Sequence, residues 1–165
     1  MPKIEELVIN TGPLLALIAA LGDLSVLQMY SQVWAPLEVC QEILAGGSTG
    51  FGIAEFQAAD WLKKQTTPFK ISPFLRNSLD RGEAAVIQFA LEHGIRTVCI
   101  DEPAGRRIAR LNGLAVTGSI GILLRARQEG RQFSMPTAIS NMRQKGIWLS
   151  ERVVRFALTQ AGETS

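Results

Sequence analysis

Short apolar runs alternate with amphipathic segments along most of the chain. The first run, Leu7-Val8-Ile9, ends at a polar Asn10 and is followed by a Thr-Gly-Pro turn and an apolar helical segment. Similar runs at 32–35, 96–100 and 114–117 predict further strands, and each precedes residues with helical spacing. Because strands that alternate with helices form right-handed βαβ units, this pattern predicts an α/β fold with a mainly parallel sheet.

Capping residues, prolines and glycines mark the predicted helix ends. Pro13 suits the first turn of the first helix, which Thr11 or its neighbour can cap. Asp80, with Glu83 three residues later, has the pattern of a capping box for a helix that Gly94 ends. Further helices are predicted at 24–30, 36–45, 51–60, 103–111, 120–129, 136–145 and 152–161, with a short one beginning at 72–73.

The composition favours one globular domain spanning residues 1–165. Hydrophobic residues make up 47% of the chain and charged residues 19%, which excludes a disordered protein. The longest apolar run, 14–21, is too short to cross a bilayer, and MPKIEEL lacks the pattern of a signal peptide. Cys40 and Cys99 lie in separate apolar segments and are expected to be reduced core residues. We therefore expect a cytoplasmic protein without a membrane partner.

Charge is distributed unevenly along the chain. Residues 1–60 contain one basic residue against seven acidic ones, whereas residues 61–165 contain 16 basic residues against eight acidic ones. An enzyme that acts on phosphodiesters needs both kinds, since Lys and Arg bind the nucleic-acid backbone while carboxylates bind a metal ion. The alternative interpretation is the ordinary variation of charge along a chain of this length.

Several oxygen-bearing side chains are placed where they can meet at one edge of the sheet. Asn10 follows the first strand, Asp101-Glu102 follows the strand at 96–100, and Glu42 and Glu83 lie on helices. Open parallel sheets bind ligands beyond the carboxyl ends of their strands. Carboxylates without His or Cys ligands favour a hard cation, so the sequence predicts a site for Mg²⁺ or Mn²⁺.

Each acidic residue also has a purely structural interpretation. Glu83 can be the third residue of a capping box, and Asp101 or Glu102 can cap the helix that begins at Pro103. Glu42 can belong to a solvated helix face. Spacing alone leaves these alternatives open.

Four segments in a fixed order resemble the PIN-domain superfamily, most closely its prokaryotic branch related to VapC-type toxins. They are VINTGPLLAL, VWAPLEVCQEI, LDRGEAAVIQFALEHG and VCIDEPAGRRIARLNGLAVTGSIGILLRARQEG. The similarity continues loosely through KGIWLSERVVRFALTQAGE, so it covers nearly the whole chain. It implies a three-layer PIN-like fold, in which helices flank a central, mainly parallel twisted sheet.

The resemblance implies a metal-dependent ribonuclease that uses Mg or Mn. Asn10 matches the first acidic position of the family, where the pattern has Asp, and Glu42 and Glu83 match the second and third. The fourth position falls on Asp101 or Glu102. Supporting polar residues are expected at Thr11, Thr117 and Ser119.

An asparagine at the first position changes the expected chemistry. The Asn10 amide can offer its carbonyl oxygen to a cation but carries no charge, which forfeits at most ~4 kcal/mol of attraction near 4 Å. The sequence therefore predicts either a nuclease with weakened metal binding or a catalytically inactive PIN-fold module that binds RNA or protein. A domain that binds small phosphorylated molecules is a weaker alternative, because no glycine-rich phosphate loop is present.

Basic residues next to the last acidic pair suggest where RNA would bind. Arg106, Arg107 and Arg110 follow Asp101-Glu102 on one predicted helix, where they can contact phosphates; alternatively, Arg106 and Arg110 form a solvated face. The resemblance further implies a toxin–antitoxin system, with a homodimer inhibited by a small antitoxin protein.

Overall fold

In the computed structural model, which describes residues 5–68 and 70–163, five parallel strands form one sheet. Their order across the sheet is β3-β2-β1-β4-β5. The strands are β1 (Leu7–Ile9), β2 (Val33–Ala35), β3 (Lys63–Lys64), β4 (Thr97–Cys99) and β5 (Ala115–Thr117).

Helices connect and cover these strands. The α-helices of the described residues are α1 (Thr11–Leu21), α2 (Leu37–Ala45), α3 (Ile53–Ala58), α4 (Pro73–Ser78), α5 (Arg81–His93), α6 (Pro103–Leu111), α7 (Ser119–Gln128), α8 (Met135–Gln144) and α9 (Glu151–Gln160). A 3₁₀ helix, Ser25–Met29, follows α1. The longest of these helices has 13 residues, and none in the described ranges has the length and apolarity needed to cross a bilayer.

The first strand lies at the centre of the sheet, where its three side chains are fully buried. Its uninterrupted apolar sequence suits this position, because a central parallel strand is covered on both faces. Its register pairs Val8 with Trp34 of β2 and with Val98 of β4. From β1 the chain moves outward through β2 to β3, and then crosses back to β4 on the other side of β1. The strand order thus reverses between β1 and β4, and open parallel sheets leave a ligand-binding crevice at such a point.

Two groups of helices enclose the sheet. Helix α1 packs against α7 and α8, while α5 packs against β1, β4, α2 and α4. Fully buried side chains such as Phe56 and Phe89 fill the space between these layers. The architecture confirms the predicted three-layer α/β fold with a parallel central sheet.

The observed elements match most of the predicted ones, with two differences at helix starts. The helix predicted at 51–60 is shorter because Gly52 precedes it with φ +91°, a left-handed conformation that ends the preceding turn. The predicted side-chain cap of α1 is wrong. Asn10 occupies the N-cap position without a side-chain hydrogen bond, and Thr11 Oγ1 is buried with no partner among the described residues.

Cys40 and Cys99 are both buried and both free thiols, as the sequence predicts. Burial raises the pKa of each thiol, so neither is activated as a thiolate.

Candidate metal centre

Asn10 lies at the crevice where the strand order reverses. It directly follows β1, and its backbone N–H donates a hydrogen bond of 3.1 Å to the carbonyl of Cys99 on β4. The side chain is only 7% exposed, and Oδ1 has no hydrogen-bond partner in the described part of the chain. An unpaired buried carbonyl oxygen costs free energy unless a ligand or ion satisfies it.

Glu42 and Asp80 bring further oxygens to the same place, around Gly82 in the first turn of α5. A Cβ atom on Gly82 would lie 2.8 Å from Asn10 Oδ1, 3.3 Å from Glu42 Oε1 and 3.7 Å from Asp80 Oδ1. Glu42 reaches this point from α2, which begins just after the neighbouring strand β2. Glycine is therefore the residue that leaves space among three oxygens from three elements.

Glu83, the residue after Gly82, is buried against α6. Its side chain is 5% exposed, and Oε2 has no hydrogen-bond partner among residues 5–68 and 70–163. This oxygen would lie 2.6 Å from a Cβ on Gly105 of α6, so a larger residue there would displace the Glu83 carboxyl group. Burial, followed by the nearby carboxyl groups of Asp80 and Glu102, raises the pKa of Glu83 to about 7.

The capping-box interpretation explains only part of this arrangement. Asp80 Oδ1 accepts a hydrogen bond of 2.8 Å from the backbone N–H of Glu83, as a cap of α5 should. Burial of the Glu83 carboxyl with an unpaired oxygen does not follow from capping.

Asp101 is held by the next strand-to-helix junction. Its carboxylate accepts hydrogen bonds from the backbone N–H of Ser119 at 2.8 Å and from Ser119 Oγ at 2.9 Å. Asp101 therefore caps α7, and the structural alternative, in which Asp101 or Glu102 caps α6, is wrong. Glu102 occupies the N-cap position of α6 without a side-chain hydrogen bond.

Of the other predicted side chains, Arg106 lies near Asp101: a Cβ atom on Gly118 would lie 2.8 Å from Arg106 Nη1 and 2.6 Å from Asp101 Oδ1. Thr117 Oγ1 lies 3.5 Å from the carbonyl oxygen of Gly118. Arg106 donates a hydrogen bond of 2.9 Å to the Ile100 carbonyl and is half-buried, so it does not belong to a solvated face. Arg107 and Arg110 are exposed on α6.

Two further acidic residues have features that the sequence did not predict. Asp80 contributes an oxygen near Gly82, and Glu38 is 6% exposed with Oε1 unpaired among the described residues. The signal for Glu38 was its four-residue spacing from Glu42 on one helix face, but spacing does not reveal which side of a helix is buried.

The oxygen donors fit a hard cation in their chemistry. In residues 5–68 and 70–163, no three His, Cys, Asp or Glu side chains are grouped closely enough to hold a metal ion. Asn10 is an amide, however, and Mg²⁺ commonly uses only one or two carboxylates and completes its shell with water and substrate phosphate. Asn10 Oδ1, which is unpaired among the described residues, and Glu42 Oε1 meet at Gly82 and supply part of such a set, whereas Glu83 Oε2 is buried beside Gly105.

These features define an α/β protein with an oxygen-rich crevice at the carboxyl end of its central strands. Residues 6–163 match the family model DUF3368, a PIN domain, and the chain belongs to this PIN-domain family. No curated protein was found to match the chain. This match confirms the resemblance to the PIN-domain superfamily, whose fold is a nuclease fold. The VapC-type branch stays a prediction.

Proposed function

We propose that this protein is a metal-dependent ribonuclease of the VapC-like type, in which Asn10, Glu42 and Glu83 hold Mg²⁺ or Mn²⁺. The observation that carries the proposal is the meeting of Asn10 Oδ1 and Glu42 Oε1 around Gly82. Glu83, next to Gly82, adds a buried and unpaired carboxylate oxygen.

Each side chain has a distinct part in this proposal. A bound Mg²⁺ or Mn²⁺ supplies an acidified water and stabilises negative charge on the phosphate. Asn10 offers an uncharged oxygen from the floor of the crevice, and Glu42, which is exposed, lies on the side that RNA would approach. Burial raises the pKa of Glu83 to about 7 in the metal-free protein, and a cation bound beside this carboxyl group would favour its ionised form.

Residues at the other side of the crevice support the centre. Asp101 is oriented by Ser119, so it is the better defined candidate for the fourth acidic position, while Glu102 acts on the pKa of Glu83. Arg107 and Arg110 are exposed on α6 and are proposed to contact RNA phosphates. Arg106, Thr11 and Thr117 keep their predicted binding or supporting roles in this proposal.

The biological setting follows from the resemblance to VapC-type proteins. We place the ribonuclease, as a single domain over residues 1–165, in a cytoplasmic toxin–antitoxin pair. Its proposed state is a homodimer that a small antitoxin protein inhibits. A gene neighbour encoding a short antitoxin would support this setting, and a monomer by light scattering would count against the dimer.

A second candidate function is RNA or protein binding without cleavage. Two observations favour it: Asn10 brings no charge to the crevice, and no three acidic side chains gather there among the described residues. Mn²⁺ binding without RNA cleavage would support this candidate over the nuclease.

The nuclease proposal is tested by measuring cleavage of single-stranded RNA in two parallel reactions, one with Mn²⁺ and one with a chelator. Cleavage is expected only with Mn²⁺, and Glu42→Gln and Glu83→Gln should each lower the rate at least about tenfold. Glu55→Gln on α3 is a matched control and should leave the rate unchanged. Equal rates in all three variants, or cleavage that persists in the chelator, would contradict the proposal.

A further inference from the structure

A cavity separate from the candidate metal centre lies between the segment before α4, α4 itself and the start of α5. Its volume is about 400 Å³, and its charged lining residues, Lys70, Arg76 and Arg81, are all basic. Ile71 and Ala84 complete the lining. We call this cavity the basic pocket.

Two of the three cationic side chains are held in place by single hydrogen bonds. Arg81 Nη2 donates to Gln41 Oε1 at 2.8 Å, and Arg76 Nη2 donates to the Ile71 carbonyl at 3.2 Å. A guanidinium has several N–H donors in a planar fork, so each arginine retains donors for a ligand.

No cation of the basic pocket forms an ion pair within the part of the chain that the structure describes. The ion pairs found among the described residues are Arg127–Glu163 and Arg143–Glu151, and neither involves the basic pocket. Three like charges around one cavity repel each other, and an anion that enters between them relieves this repulsion. A phosphate group, which arginine binds through paired N–H donors, has the required charge and geometry.

The basic pocket adjoins the candidate metal centre through two pairs of neighbouring residues. Arg81 lies between Asp80 and Gly82 in the chain, and its partner Gln41 immediately precedes Glu42. A strand of nucleic acid that presents one phosphate at the metal centre therefore has the basic pocket next to it.

We propose that the basic pocket binds a backbone phosphate of the RNA strand, next to the phosphate acted on at the metal centre. The identity of the ligand as RNA rests on the proposed function. The assignment adds Lys70, Arg76 and Arg81 to the RNA-binding surface.

The test measures binding of a short labelled oligouridylate in the presence of a chelator, at several salt concentrations. Lys70→Gln, Arg76→Gln and Arg81→Gln should each weaken binding about fivefold at 0.1 M salt and lower the salt slope by about 0.7. Arg76→Lys keeps the charge and should keep the slope. Arg152→Gln and Arg155→Gln, exposed on α9, are matched controls and should change neither quantity.

The outcomes for the basic pocket and for the nuclease are separable, because binding in the chelator needs no metal and no cleavage. Weakened binding in the three pocket variants supports the basic pocket even if Mn²⁺ produces no cleavage. If the three variants keep the wild-type affinity and salt slope, the proposal for the basic pocket is overturned even if cleavage is observed. Inorganic phosphate is titrated separately by calorimetry, and a protein that binds phosphate but not the oligouridylate would also overturn the RNA assignment.

Discussion

Asp101 accepts two hydrogen bonds from Ser119, one from the backbone N–H at 2.8 Å and one from Oγ at 2.9 Å. This contact joins the end of β4 to the start of α7 and so fixes one side of the crevice. It also means that the Asp101 carboxylate is already oriented before any ligand arrives. The same contact makes a direct prediction about stability.

Ser119→Ala should destabilise the protein by about 1–2 kcal/mol, because it removes a partly buried hydrogen bond from the Ser119 hydroxyl to the Asp101 carboxylate. The free energy of unfolding in urea measures this. Ser140→Ala, at an exposed position on α8, is the control and should stay within about 0.5 kcal/mol of wild type. A Ser119 variant as stable as the Ser140 variant would show that the contact contributes little.

Gly82→Ala should lower Mn²⁺ affinity at least about tenfold without unfolding the protein. Alanine normally stabilises a helix by about 0.5–1 kcal/mol relative to glycine. At Gly82, however, the new Cβ would lie 2.8 Å from Asn10 Oδ1 and must displace the oxygens around it. Calorimetric titration with Mn²⁺, together with urea denaturation, measures both effects.

Gly12→Ala is the matched control for this change. It is also in the first turn of a helix, and a Cβ there meets no atom within 4 Å. This variant should be slightly more stable than wild type and bind Mn²⁺ equally well. If both glycine variants bind Mn²⁺ like wild type, the space at Gly82 is not part of a metal centre.

The metal-free protein should lose stability as the pH rises from about 4.5 to about 7. The folded-state pKa of Glu83 is raised to about 7 from an ordinary value of 4.5, so folding favours its protonated form. The loss of folding stability caused by ionising Glu83 is absent below the unfolded-state pKa. It is complete above the folded-state pKa, where it reaches up to about 3 kcal/mol.

Urea denaturation in a chelator at pH 5 and pH 8 measures this dependence. Glu83→Gln should remove it, whereas Glu92→Gln, exposed on the same helix, should retain it. The same pH dependence in wild type and in the Glu83 variant would assign the effect to other groups.

The sequence predicts the local features of this fold well because they depend on neighbouring residues. The predicted cap at Asp80 is confirmed, since its side chain accepts a hydrogen bond from the backbone N–H three residues later. Three consecutive apolar residues predict the strand Leu7–Ile9, and the structure buries all three. Neither inference requires knowledge of distant parts of the chain.

The features that the sequence did not reveal depend on contacts between distant segments. Asp101 and Ser119 are 18 residues apart, so local spacing suggested a cap of α6 and not of α7. The space required at Gly82 depends on oxygens from β1 and α2, which no local pattern contains. Glu38 is buried on α2, a helix that packs against α5 and α1, and these contacts join distant parts of the chain.

Calorimetric titration of Asn10→Asp with Mn²⁺, beside wild type, tests most directly whether Asn10 belongs to a metal centre. The added carboxylate should increase Mn²⁺ affinity at least about tenfold, because a charge near 4 Å contributes up to ~4 kcal/mol of attraction. Asn112→Asp, at the exposed end of α6, should bind Mn²⁺ like wild type. Equal Mn²⁺ affinity of the Asn10→Asp variant and wild type would contradict a metal centre at Asn10.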